Sequence, residues 1–156
     1  MLAAVTDSER LARLVELNRN FMEIVPHNRA LGIEIVALED AFARMRLPYA
    51  PKLVGNPATG VLHGGAISTL MDACCGAAVF MALDEPKPIA TLDLRIDYLK
   101  PAGPGEAVLA EAHCFKVTKN IAFVRGVAFH VDAADPIAAA TGTFMLQTPL
   151  SRGGTP

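Results

Sequence analysis

Charge is scarce in this 156-residue chain. Asp, Glu, Lys and Arg make up 19% of it, the 14 basic and 16 acidic residues leave a formal net charge of −2, and no basic cluster could neutralise a run of phosphates. A dedicated nucleic-acid binder is excluded on that ground. Cysteine is sparse as well. Of the three, Cys74 and Cys75 are adjacent, which makes neither a disulfide framework nor a C-x-x-C metal pair. Reduced thiols and a cytoplasmic location are the expectation. Long apolar runs are missing: the longest, Ala73 to Leu83, has 11 residues, against ~18 needed to span a bilayer. No membrane span is expected, and Met1–Arg10 lacks the basic and apolar regions of a signal peptide. His27, His63, His113 and His130 are scattered without ligand spacing, so no zinc site is expected. The G-x-S-x-G, H-E-x-x-H, G-x-x-x-x-G-K-[ST] and G-x-G-x-x-G motifs are all absent. Serine hydrolases of that type, zinc proteases, P-loop NTPases and Rossmann enzymes go with them.

Apolar content is what the chain has. Hydrophobic residues make up 52% of it, which excludes disorder, and a chain of this length buries about two-thirds of its unfolded surface in one domain. So much apolar character in so short a chain suggests that part of it is covered by a second copy. Prolines mark the boundaries. Thr6-Asp-Ser-Glu9 forms a capping box ahead of an amphipathic pattern through Leu11, Leu14, Val15, Phe21, Met22 and Val25, predicting a helix over 6–26 that Pro26 ends. Leu31–Val36 and Ala41–Leu47 read as two strands. Residues 48–62, rich in proline and glycine, read as an irregular loop. Gly64–Leu83 contains no proline, is apolar around nearly its whole circumference and carries Asp72 as its only charge, the pattern of a buried helix. Strands are then expected over Ile89–Leu99, Ala107–Val117, Ile121–Val131 and Ile137–Gln147. In the first of these Leu92, Leu94, Ile96 and Tyr98 alternate with Asp93, Arg95 and Asp97. The layout is α+β: a curved antiparallel sheet wrapped around one long helix, with a core over 30–148 and a tail over 149–156. One sheet covers one side of that helix, so a partner subunit is the natural cover for the rest.

Two features point to chemistry. Asn56-Pro-Ala-Thr-Gly-Val-Leu-His63-Gly64-Gly65 runs straight into the long helix. Its glycines let a ligand approach a helix N-terminus whose free N–H groups favour negative charge, the makings of an oxyanion site. The same residues could instead form a tight turn with His63 as an ordinary loop histidine. Asp72, a lone carboxylate on an apolar helix, is either a functional acid or a group solvated or hydrogen-bonded to a neighbouring strand. Eight residues of helix put Asp72 about 12 Å from Gly64 along the axis. A site using both must therefore draw them from two subunits, through antiparallel helices related by a two-fold axis.

These residues resemble the hotdog-fold acyl-CoA thioesterases, in the branch that includes phenylacetyl-CoA thioesterase PaaI. The resemblance rests on His63-Gly64-Gly65, on Asp72 at the right offset, on the charge-free helix and on Thr91-Leu-Asp-Leu-Arg-Ile-Asp-Tyr-Leu-Lys-Pro-Ala102, in order and spacing from about residue 30 to 148. Asn56 departs from the pattern, standing one residue too far from Gly60 and His63. The resemblance implies a homo-oligomer, a dimer or a dimer of dimers, that hydrolyses acyl-CoA without metal or cofactor. In it the Gly64 N–H, helped by Asn56, polarises the thioester carbonyl while His63 holds the loop. Gly65 lines the substrate site, Asp72 of the other subunit is base or nucleophile, and Thr91 positions the water. A non-catalytic acyl-CoA-binding hotdog protein and a hotdog hydratase or dehydratase are the competing readings.

Overall fold

A computed structural model describes Ala12, Arg19, Asn20 and residues 24–146. The helix expected over 6–26 lies largely outside the described residues, although Ala12, Arg19, Asn20 and Ile24 are helical; the tail over 149–156 lies wholly outside them. Pro26 has a second role. It occupies the first turn of a short helix, α1 (Pro26–Leu31), which closes on Gly32 at φ 74°. Proline at that position costs a helix nothing, and glycine accepts the left-handed cap. The expected strand at Leu31 therefore begins later, as β1 (Glu34–Glu39), followed by β2 (Phe42–Leu47).

The expected irregular loop holds a 3-10 turn (Pro51–Leu53) and a small hairpin, β3 (Val54–Asn56) with β4 (Val61–Leu62). The long helix α2 (Gly64–Met81) comes next, then β5 (Ile89–Tyr98), β6 (Val108–Val117), β7 (Ile121–Phe129) and β8 (Ala138–Leu146). Six strands form one antiparallel sheet in the order β1-β2-β6-β7-β8-β5, which leaves β1 and β5 as its edges. The architecture is the hotdog fold expected from the sequence.

Helix α2 buries Ala66, Ile67, Leu70, Met71, Cys74, Cys75, Ala78 and Val79. These adjacent pairs recur every four residues and make one continuous stripe against the sheet. Met45, Val108 and Val124 meet it from the strands, also fully buried. Each large apolar side chain buried this way contributes about 1.5–3 kcal/mol. By length and composition α2 could cross a bilayer, but here it is the core helix of the sheet. Its other face is open in the single chain. Gly65, Asp72 and Phe80 are exposed, with Phe80 at 49%, and Ala73, Gly76 and Ala77 are half-buried. The helix reads as apolar nearly all round because this open face carries glycine, alanine and Phe80, with Asp72 as its one charge.

Candidate active site

The tip of α2 is held from three sides. His63 is its N-cap, in extended backbone conformation, and its Nδ1 accepts the Gly65 N–H at 2.8 Å. A neutral His63 ring therefore carries its proton on Nε2. A side chain at position 65 would bring its Cβ to 2.9 Å from that nitrogen, so the cap requires glycine there. The His63 carbonyl accepts the Ala66 N–H at 3.0 Å, and the His63 N–H is tied to the Leu53 carbonyl at 2.8 Å. Of the first amides of the helix, that of Gly64 has no acceptor among the described residues. It stands free at the positive end of the helix dipole. On the opposite side the Gly64 carbonyl accepts from Tyr98 OH at 2.8 Å and Ser68 Oγ at 3.1 Å, and those two hydroxyls lie 2.6 Å apart.

Asn56 ends β3 at the rim of this tip. Its Oδ1 accepts the Ala58 N–H at 3.0 Å and its carbonyl the Gly60 N–H at 2.8 Å, a local turn of the kind asparagine favours. The side chain is engaged within its own loop, where the extra residue before Gly60 is accommodated.

Asp72 and Thr91 meet two turns further along the helix. Thr91 Oγ1 donates to Asp72 Oδ1 at 2.8 Å. Strict alternation along β5 would turn Thr91 to the outer face, because Leu94 and Ile96 pack inward. A bulge corrects this: Thr91 pairs with Phe144 and Asp93 with Thr143, so Leu92 is an extra residue without an opposite number. The insertion reverses the phase of everything before it. Thr91 swings to the helix side, and Leu92 is 52% exposed rather than part of the apolar row expected of it. The bulged strand crosses β8 closely, and a Cβ on Gly142 would lie 2.9 Å from the Asp93 carbonyl oxygen.

From the Asp72–Thr91 pair an apolar cavity of about 540 Å³ extends over the open face of α2, between residues of both sheet edges. Ile35, Leu38 and Met45 line it from one side, Ile89 and Phe144 from the other, and Ala73, Gly76, Ala77 and Phe80 from the helix. Neither neighbouring thiol competes as a nucleophile. Burial, and to a lesser degree the Asp72 charge, pushes Cys75 up to about 12, and burial raises Cys74 as well. No cluster of His, Cys, Asp or Glu able to hold a metal occurs among the described residues.

The expected site residues thus fall into two groups. His63, Gly64 and Gly65 are built into one helix tip with Asn56 at its rim, and Asp72 and Thr91 form a hydrogen-bonded pair; within one chain the groups stay apart, separated by the length of helix between them. Sequence reasoning missed Ser68 and Tyr98. Ser68 was findable, since a serine four residues after Gly64 reaches that carbonyl in a helix. Tyr98 arrives only through the packing of β5.

The wrapped sheet, the amide-bearing helix tip and the acid paired to a strand hydroxyl define a hotdog protein of the thioesterase type. A family model described as the thioesterase superfamily matches residues 59–136. The medium/long-chain acyl-CoA thioesterase YigI of Escherichia coli is 34% identical, over 93% of this chain and 99% of its own. The chain belongs to the thioesterase superfamily. A crystal structure of a Pseudomonas aeruginosa protein is 42% identical with a TM-score of 0.76, covering 86% of this chain and 99% of that one. The PaaI protein of Escherichia coli, from its phenylacetic acid degradation operon, superposes with a TM-score of 0.74 over 87% of this chain and 95% of its own. At 20% identity that likeness is one of fold.

Proposed function

We propose that this protein hydrolyses acyl-CoA to a carboxylic acid and free CoA in active sites shared between two subunits. The observation that carries the reading is the Asp72–Thr91 pair at the mouth of an apolar cavity, in a chain similar to an acyl-CoA thioesterase over nearly its full length. Thr91 occupies one carboxylate oxygen of Asp72, leaving Oδ2 for a water molecule. Asp72 takes a proton as that water attacks the thioester carbonyl carbon. The oxygen of the tetrahedral intermediate gathers negative charge against the Gly64 N–H, where one well-placed donor is worth about 10²–10³ in rate. Collapse expels the CoA thiolate, which recovers the proton from Asp72. Water and thioester are consumed, acid and thiol produced, and the enzyme is unchanged.

The geometry of one chain supports sharing. Strand β5 runs opposite to α2, with Thr91 beside Asp72 and Tyr98 beside Gly64. A two-fold axis passing near Ser68 on the helix and Leu94–Arg95 on the strand would bring each Asp72 to the other subunit's Gly64. It would also cover the open face of α2 as far as about Asp72 and lay two copies of the free β5 edge against each other. We read residues 1–156 as one such domain, acting as a dimer or dimer of dimers. Three unpaired cysteines support a reducing compartment, the cytoplasm.

The test is CoA release from acyl-CoA, followed with a thiol-trapping reagent. Asp72→Asn, folded as the parent, should lose at least ~10² in kcat; near-parental turnover ends the mechanism. Gly64→Pro isolates the amide, because the first helical position tolerates proline and His63 already has the extended conformation that precedes one. Each variant alone should retain no more than about a hundredth of the parental activity. Refolded as an equal mixture they should recover about a quarter of the parental activity, since half the dimers then hold one intact site. No recovery refutes sharing.

A further inference from the structure

The helix carries a glycine in its interior, Gly76, one turn past Asp72 on the open face. Glycine destabilises a helix interior relative to alanine, so an interior glycine calls for a local reason. The fold supplies none. A Cβ built at position 76 would stand 3.6 Å from Phe144 Cε1 and 3.8 Å from Ile89 Cδ1, ordinary van der Waals contact, with nothing nearer. At Gly142, by contrast, a Cβ would collide with backbone at 2.9 Å. What a side chain at 76 would enter is the apolar cavity that begins at Asp72 and Thr91.

We infer that Gly76 is a specificity-determining residue: its missing side chain leaves the floor of the acyl channel open, so that the aliphatic chain of the substrate lies directly on the helix. The inference rests on the thioesterase reading. At about 540 Å³ the cavity is within the range of small-molecule sites. Past Asp72 and Thr91 its lining is entirely apolar among the described residues. Aliphatic carbon gains by entering such a space, whereas a polar acyl group would forfeit its hydrogen bonds to water. One helical turn advances about 5.4 Å. An acyl chain too short to reach that far past Asp72 never meets position 76, and a longer one lies against it. Gly76 therefore acts on long chains and not on short ones.

The test compares kcat/KM for dodecanoyl-CoA and butanoyl-CoA, by thiol release, in the full-length protein and in Gly76→Ala and Gly76→Leu. A single methyl group on the floor displaces roughly one methylene of the substrate. The dodecanoyl-to-butanoyl ratio should then fall about fourfold in Gly76→Ala and at least ~10-fold in Gly76→Leu. Phe80→Ala, which removes a ring from the same lining, should move the preference toward longer chains. If Gly76→Leu does not fold, the alanine ratio decides. An unchanged ratio, or an equal loss on both substrates, in a protein whose parent is active overturns the assignment and leaves the thioesterase reading standing. A parent that releases CoA from no acyl-CoA sinks that reading, and this inference with it.

Discussion

Replacing Thr91 by valine removes one hydroxyl and preserves shape, and valine suits a strand at least as well as threonine. The lost interaction is the 2.8 Å hydrogen bond to Asp72 Oδ1. Hydrogen bonds to charged groups contribute about 1.5–3 kcal/mol. Asp72 is exposed in the single chain, so solvent screening puts the value near the lower end. Thr91→Val should therefore reduce kcat about tenfold, the equivalent of ~1.4 kcal/mol. The sharper prediction concerns the pair. If Thr91 acts by orienting the Asp72 carboxylate and the water it holds, it has nothing to orient once the base is gone. In a double-mutant cycle scored by acyl-CoA hydrolysis, Thr91→Val should cost about tenfold in the parent and nothing further in Asp72→Asn, a coupling of ~1.4 kcal/mol. The same tenfold loss in both backgrounds would show that Thr91 acts independently of Asp72, and the roles assigned to the pair would fall.

Two further outcomes test the framework around the site. Gly142→Ala would place a methyl group 2.9 Å from the Asp93 carbonyl oxygen and 3.0 Å from Leu94 Cδ1, forcing β5 away at its bulge. It should destabilise the protein by about 1–3 kcal/mol and lower kcat further than Thr91→Val does; an unchanged urea midpoint together with unchanged kcat would contradict the packing described. Burial raises Cys74 and Cys75 above the ordinary thiol value of 9.0, Cys75 to about 12. Below pH 9 the thiols are protonated folded or unfolded, and no stability is lost. Above it the unfolded chain sheds protons that the fold retains, so stability should decline by about 1.4 kcal/mol per pH unit for each thiol up to about pH 12. Urea midpoints of the parent and Cys75→Ala at pH 8 and pH 10.5 check this: the variant should show the shallower fall, and equal falls would contradict the burial.

Much of the fold was legible because α2 and the four long strands carry strong, uninterrupted patterns, and the positions 63, 64 and 72 could be placed on one helix by counting. The failures have local physical causes. Helix α1 has only six residues and runs on into Leu31-Gly-Ile-Glu-Ile, which alternates like a strand. The β3–β4 hairpin is short enough to hide in a segment rich in proline and glycine. In β5, alternation assigned Leu92 to the buried face because a bulge leaves no mark on the periodicity of one strand; it is visible only against the register of β8. Thr91 was singled out by resemblance, and only the register explains how it reaches Asp72. The open face of α2 was disguised for the opposite reason, since small apolar residues there look the same as a buried surface.

The bulge at Leu92 makes pairing register a chemical variable. Strand β5 amounts to two short ribbons spliced half a repeat out of step, the later one anchored in the core and the earlier one presenting Thr91 to the acid. Were the ladder to close up smoothly at unchanged length, with Leu92 taken into it, the threonine would turn away; were Leu92 deleted, Thr91 would keep its place opposite Phe144 and its side of the sheet. The extra peptide unit is thus compatible with the chemistry only because the strand expels it from the ladder, and a relative that kept the residue within a regular edge strand would need another means of steadying its carboxylate.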